Sequence, residues 1–137
     1  MKILVIDGQG GQLGGQIIKA LRSQLSETEI TAVGTNATAT AAMLKAGADK
    51  AATGENPVLV ACKKADVIIG PIGIVIADAM YGEITSAMAI AVGQADAVRI
   101  LLPVNKCDNL VAGVTDLPMS SVIEDAVAKV KSHCQKG

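Results

Sequence analysis

The sequence predicts a three-layer, Rossmann-like α/β fold, a doubly wound and mostly parallel sheet with helices on both faces. Three observations predict it. Short apolar runs alternate with helical patterns through most of the chain. The first run, Lys2-Ile3-Leu4-Val5-Ile6, empties into Asp7-Gly8-Gln9-Gly10-Gly11-Gln12-Leu13-Gly14-Gly15, the strand, glycine-rich turn and helix start by which α/β proteins hold phosphates. At 137 residues, half of them hydrophobic, the chain suits one such domain over residues 1–137.

Each element follows from its local pattern. A strand at about 2–7 is followed by a helix at about 12–25, where Leu13, Ile17, Leu21 and Leu25 recur every four residues. Glu29 to Gly34 forms the second strand, and Thr35-Asn36 opens the next helix as a cap. That helix runs over roughly 37–46 and stops at Gly47. A short third strand lies at about 49–53. Gly54-Glu55-Asn56-Pro57 starts a helix that reaches about Lys64, with Pro57 at its first position.

Asp66 to Gly70 is apolar enough for a strand covered on both faces. After Gly70-Pro71-Ile72-Gly73-Ile74 comes an irregular segment with a helical turn near 74–80. A helix at about 84–94, a strand at about 98–104 and another at about 110–115 follow. The last helix carries a capping box, Ser121-Val-Ile-Glu124, an apolar face of Ile123, Ala126, Val127 and Val130, and Lys129, Lys131 and Lys136 near its end. The first five strands are joined by segments long enough for crossovers. The gap before the sixth is too short, so that strand turns back antiparallel at the edge. The expected order is 3-2-1-4-5-6.

In such a sheet ligands bind beyond the carboxyl ends of the strands, where the order reverses. The unusual residues fall there: the loop of Gly8, Gln9, Gly10, Gly11, Gln12, Leu13 and Gly14, then Thr35 and Asn36, then Gly70, Pro71, Ile72 and Gly73, then Asn105. The glycines at 8, 11 and 14 give G-x-x-G-x-x-G, since Leu13 stands where G-x-G-x-x-G needs its third glycine. A nucleotide phosphate on this loop is one reading, and a tight structural turn is the other. On the first reading, Gly11→Val abolishes nucleotide binding while the fold survives.

No acid stands at the end of the second strand to hold an adenine ribose, so NADP fits more easily than NAD. Asp7 either accepts bonds from loop amides or serves as a metal-linked or catalytic carboxylate. Lys106 and Asp78 are the candidates for proton transfer, if a reaction occurs at all; Glu83 and Asp78 also read as helix caps. Cys107 reads as a small buried residue. Tyr81 lacks the lysine four residues on that short-chain reductases use, because position 85 is Thr.

A net charge of −1 and a single aromatic residue give no reason to expect nucleic acid. The chain opens with no signal-peptide pattern, and its longest apolar stretch, 67–77, is too short and glycine-interrupted to span a bilayer. A cytoplasmic protein with three free thiols, Cys62, Cys107 and Cys134, is expected. No metal-type spacing links them.

Four segments together carry a family resemblance: Ile6-Asp7-Gly8-Gln9-Gly10-Gly11, Gly34-Thr35-Asn36, Gly70-Pro71-Ile72-Gly73-Ile74 and Pro103-Val104-Asn105-Lys106-Cys107. They resemble a group of small bacterial proteins described as a domain of unknown function. The resemblance covers nearly the whole chain and implies a stand-alone bacterial protein of this length. It implies no activity, substrate or catalytic residue.

Three functions therefore stand as expectations. The first is a small nucleotide-binding protein, NADP(H) favoured, with a homodimer covering its site through alanine-rich helices. The second is a metabolite sensor or assembly subunit without catalysis, using the same pocket. The third is a metal-assisted enzyme acting on a phosphorylated small molecule. The sequence leaves open whether the protein is an enzyme.

Overall fold

The computed structural model describes residues 1–104 and 108–136. Five strands form one parallel sheet in the order β3-β2-β1-β4-β5: β1 Lys2–Asp7, β2 Glu29–Gly34, β3 Lys50–Thr53, β4 Val67–Pro71 and β5 Val98–Leu102. The helices are α1 Gln12–Gln24, α2 Ala37–Ala46, α3 Glu55–Cys62, α4 Ser86–Gln94 and α5 Met119–Lys136. A 3-10 turn spans Ile72–Val75.

The burial of each strand explains its place. All five residues of β4 and the last five of β1 are buried, as a central parallel strand with helices on both sides requires. One core joins Ile17, Ile18 and Leu21 of α1, Met43 of α2 and Ile123, Val127 and Val130 of α5 to one face of the sheet. A second core joins Val58 and Cys62 of α3, Met88 and Val92 of α4, and Ile74 and Ile84 to the other face. Burial pushes the Cys62 thiol up to about 11. Two units above its ordinary value cut the thiolate about 100-fold. Peptide mapping after alkylation of the native protein at pH 8 is therefore expected to leave Cys62 unmodified, and alkylation after unfolding to modify it.

Three expectations need correction. Residues 110–115 form no strand. Val114 N–H donates to the Val111 carbonyl (3.3 Å) and Gly113 has φ +82°, so the chain turns where a strand would have to stay extended. Among the described residues the sheet accordingly ends at β5. The last helix begins earlier than the Ser121 box implies: Ser121 and Val122 N–H both donate to the Pro118 carbonyl, so Ser121 lies inside α5. In α3, Gly54 is the cap and Pro57 sits at the third helical position, still within the first turn where no amide is needed.

Register decides what meets at the carboxyl edge. Asp7 is paired with Gly34, and Thr35 N–H donates to the Asp7 carbonyl (3.0 Å), so the loops after β1 and β2 leave the sheet level with each other.

Candidate functional site: the glycine loop and its hollow

The loop after β1 is built around Asp7. Its side chain is 3% exposed, and its two oxygens accept from Gly8 N–H (2.8 Å) and Gly14 N–H (2.7 Å). Those bonds fold the loop back over the end of β1. Burial raises the Asp7 pKa; the Gly14 and Gly8 amides offset only part of that, and the charge of Glu83 pushes it further up. Both oxygens are already engaged, which is the turn-fixing role rather than that of an open metal ligand.

Gly11 caps α1 with φ +74° and has no side chain to offer; of the first three helix amides only Gly14 N–H meets a side chain, that of Asp7. A Cβ at Gly11 would lie 2.7 Å from both the Cα and the carbonyl oxygen of Ala39. Gly11 is therefore the point where α2 presses against the start of α1. The expectation that Gly11→Val spares the fold is overturned by that backbone contact. Gly10 differs: a Cβ there meets nothing within 4 Å.

Above this loop lies a hollow of about 300 Å³ lined by residues 7–13, Gln16 and Met119. Among the described residues, the N–H groups of Gly10, Gln12 and Leu13 have no protein acceptor, and the first turn of α1 holds no acid. Such amides carry the positive end of the helix dipole. The chemistry on offer is anion binding by main-chain donors.

The crevice beside the hollow, between the loops after β1 and β4, is bridged by the protein itself. One carboxylate oxygen of Glu83 accepts from Gln9 N–H (3.1 Å), from Asn36 Nδ2 (2.8 Å) and from the Thr35 hydroxyl. Burial pushes the Glu83 carboxyl up, but the Thr35, Asn36 and Gln9 donors outweigh it and hold the pKa below its ordinary value. A Cβ at Gly8 would meet Thr35 Oγ1 at 2.6 Å, Met80 Sδ at 2.7 Å and Glu83 Oε1 at 3.1 Å. The segment delivering Met80 and Glu83 is bent hard: Asp78, Met80 and Tyr81 have φ of +67°, +59° and +57°. Side chains rarely adopt that conformation, and it concentrates where the surrounding structure enforces it.

The sequence-derived candidates divide accordingly. Gly8, Gln9, Gly10, Gly11, Gln12 and Leu13 line the hollow, with Gly14 just behind, bonded to Asp7. Thr35 and Asn36 reach the neighbouring crevice, but their side chains are committed. Besides Glu83, Asn36 Nδ2 donates to the Gln9 carbonyl (2.9 Å) and Asn36 Oδ1 accepts from Ala39 N–H (2.8 Å), capping α2. Gly70, Pro71, Ile72 and Gly73 do not line the hollow; Gly70 instead lets β4 close against the Ile6 carbonyl. Asp78 is exposed and away from it. Asn105, Lys106 and Cys107 lie outside the described residues.

Three contributors were missed. Gln16 continues the Gln12 face of α1 by one turn, a signal available in the sequence. Met119 closes the hollow from the first turn of α5, and Glu83 bridges the crevice from 48 residues beyond Thr35; neither leaves a local signal. Among the described residues, no group of three His, Cys, Asp or Glu side chains could hold a metal ion, and no helix is long and apolar enough to cross a membrane.

No curated protein matches the chain. Among solved structures it is similar to a dodecameric FMN-dependent UbiX-like decarboxylase from Escherichia coli O157:H7, at 14% identity and a TM-score of 0.46, over 98% of this chain and 94% of that one. A likeness that distant transfers neither ligand nor residue role. The family described as Domain of unknown function (DUF3842) matches residues 2–135, and with a match over nearly its whole length the chain belongs to that family.

Proposed function

We propose that the protein binds a small phosphorylated metabolite, of mononucleotide size or less, with its phosphate on the N–H groups of Gly10, Gln12 and Leu13. The observation that supports this most is the trio of acceptor-free amides at the start of α1, facing a hollow of about 300 Å³. That volume is at the low end for small-molecule sites, which run from roughly 300 to 1,000 Å³.

The geometry favours such a ligand over NADP(H). A dinucleotide lies across the crevice where the strand order reverses, and here Glu83 and Met80 occupy the space beside Gly8. The preference for NADP also rested on a missing acid beyond β2. Glu83 supplies a carboxylate at that position, bonded to Thr35 and Asn36, and it would repel a 2′-phosphate.

Binding without catalysis is the second reading, and one observation favours it. Among the described residues lining the hollow, Asp7 is the only ionisable side chain, and both its oxygens are held by amides. A sensor or carrier needs no more than that. We place the protein in the cytoplasm and one domain over residues 1–137, in keeping with its composition.

An amide-resolved NMR titration tests the reading, with inorganic phosphate, adenosine monophosphate and NADP(H) as probes. The expected result is saturable shifts at Gly10, Gln12 and Leu13, tighter binding of the monophosphate than of NADP(H), and loss of all three in Gly10→Val with its spectrum otherwise native. Shifts clustered at Gly70 to Gly73, or unchanged affinity in Gly10→Val, would remove the loop from the site.

A further inference from the structure

The connection from β5 to α5 exposes apolar side chains that no described residue covers. Residues 108–118 belong to no helix or strand. Leu110 is 94% exposed and Leu117 57% exposed. The charged residues of this strap are Asp108 and Asp116, both acidic.

At the opposite edge of the sheet the structure holds the complementary feature. A groove of about 500 Å³ opens where α3 lies over β1 and β2 but no helix covers that face of β3. Thr31 and Ala52 form its half-buried floor, and the half-exposed Val60 stands in its wall. Its rim carries Lys2, Lys50 and Lys64 against a single acid, Glu29, which Lys50 engages at 3.0 Å. The mouth is thus positive in a chain whose net charge is −1.

We infer that the strap 108–118 of one copy docks in the lysine-rimmed groove of a second copy. Leu110 and Leu117 cover Ala52 and Val60, and Asp108 and Asp116 face Lys2 and Lys64. Because strap and groove lie at opposite edges of the sheet, the joint is head-to-tail and repeats into a ring or an open chain. The apolar contacts supply most of the binding, and the charges set partner orientation. This surface is separate from the phosphate hollow, so either proposal can fail without the other.

Sedimentation of two variants, apart and mixed, tests it. The strap variant is Leu110→Ser with Leu117→Ser; the groove variant is Val60→Glu with Lys64→Glu. All four positions are exposed, so folding is expected to survive and circular dichroism checks it. Wild-type protein is expected to sediment as an oligomer larger than the monomer at micromolar concentration. Each variant alone is expected to associate at least about 30-fold more weakly, since every copy lacks the same half of the joint. An equimolar mixture retains one intact joint and is expected to form a heterodimer at concentrations where each variant alone is monomeric. A monomeric wild type, an assembly that survives either variant, or a mixture that stays monomeric overturns the inference.

Discussion

Replacing Gly11 with valine is expected to cost about 4 kcal/mol of stability or more, enough to unfold many domains of this size. Two effects add. The backbone at Gly11 sits at φ +74°, which a β-branched side chain adopts only with strain. Its Cβ would also fall 2.7 Å from two backbone atoms of Ala39, and backbone on a packed helix cannot step aside as a flexible side chain can. Relief requires α1 and α2 to separate where they cross, which opens the core around Ile18 and Met43. Urea denaturation measures the effect. Gly10→Val is the control: the same substitution one residue earlier meets open space and is expected to change stability by less than about 1 kcal/mol. Similar midpoints for both variants would mean that Gly11 does not hold the helices together.

The contrast between these adjacent glycines shows where sequence reasoning succeeds and where it stops. The strand of Ile3 to Ile6, the four-residue recurrence of Leu13, Ile17 and Leu21, and the Asn36 cap are local patterns, and each places its element correctly. The order of five strands follows from connection lengths and the single hand of crossovers. Which glycine packs and which faces solvent depends on the helix of Ala39 arriving from 28 residues away, and no spacing rule carries that.

The same limit explains Glu83. Its partners Gln9, Thr35 and Asn36 lie 74, 48 and 47 residues distant, and the left-handed conformations at Met80 and Tyr81 that deliver it occur at residues that do not advertise them. The segment 110–115 failed for a different reason. Leu110, Val111 and Val114 have the composition of a strand, but the turn at 111–114 removes the extended backbone that a ladder requires. Asp7 was legible in part, because a carboxylate at the mouth of a glycine loop has unpaired amides within reach.

Asp7→Asn is expected to destabilise the protein by about 2 kcal/mol near neutral pH, and by more in acid. An amide group offers one acceptor where the carboxylate offers two, so either Gly8 or Gly14 N–H faces a donor in a buried site. The pH dependence has a definite sign. Burial raises the Asp7 pKa in the folded state above its ordinary 3.8, so between those two values the native protein binds the proton more tightly than the unfolded chain. Stability contributed through Asp7 is then fully present below about 3.8 and declines as pH rises through the folded value. Glu29 and Asp49, whose pKa values are lowered, act in the opposite direction in both proteins and cancel from the difference; Glu83 repels the Asp7 charge, which adds to the advantage of the protonated form in the wild type alone. The gap in stability between wild type and Asp7→Asn should therefore be widest below about pH 3.8, narrow as pH rises through the folded value, and stay level above it in denaturation curves. A gap that widens with pH would mean the ionised carboxylate is favoured by its amides over water, and that its charge, not only its shape, holds the loop closed.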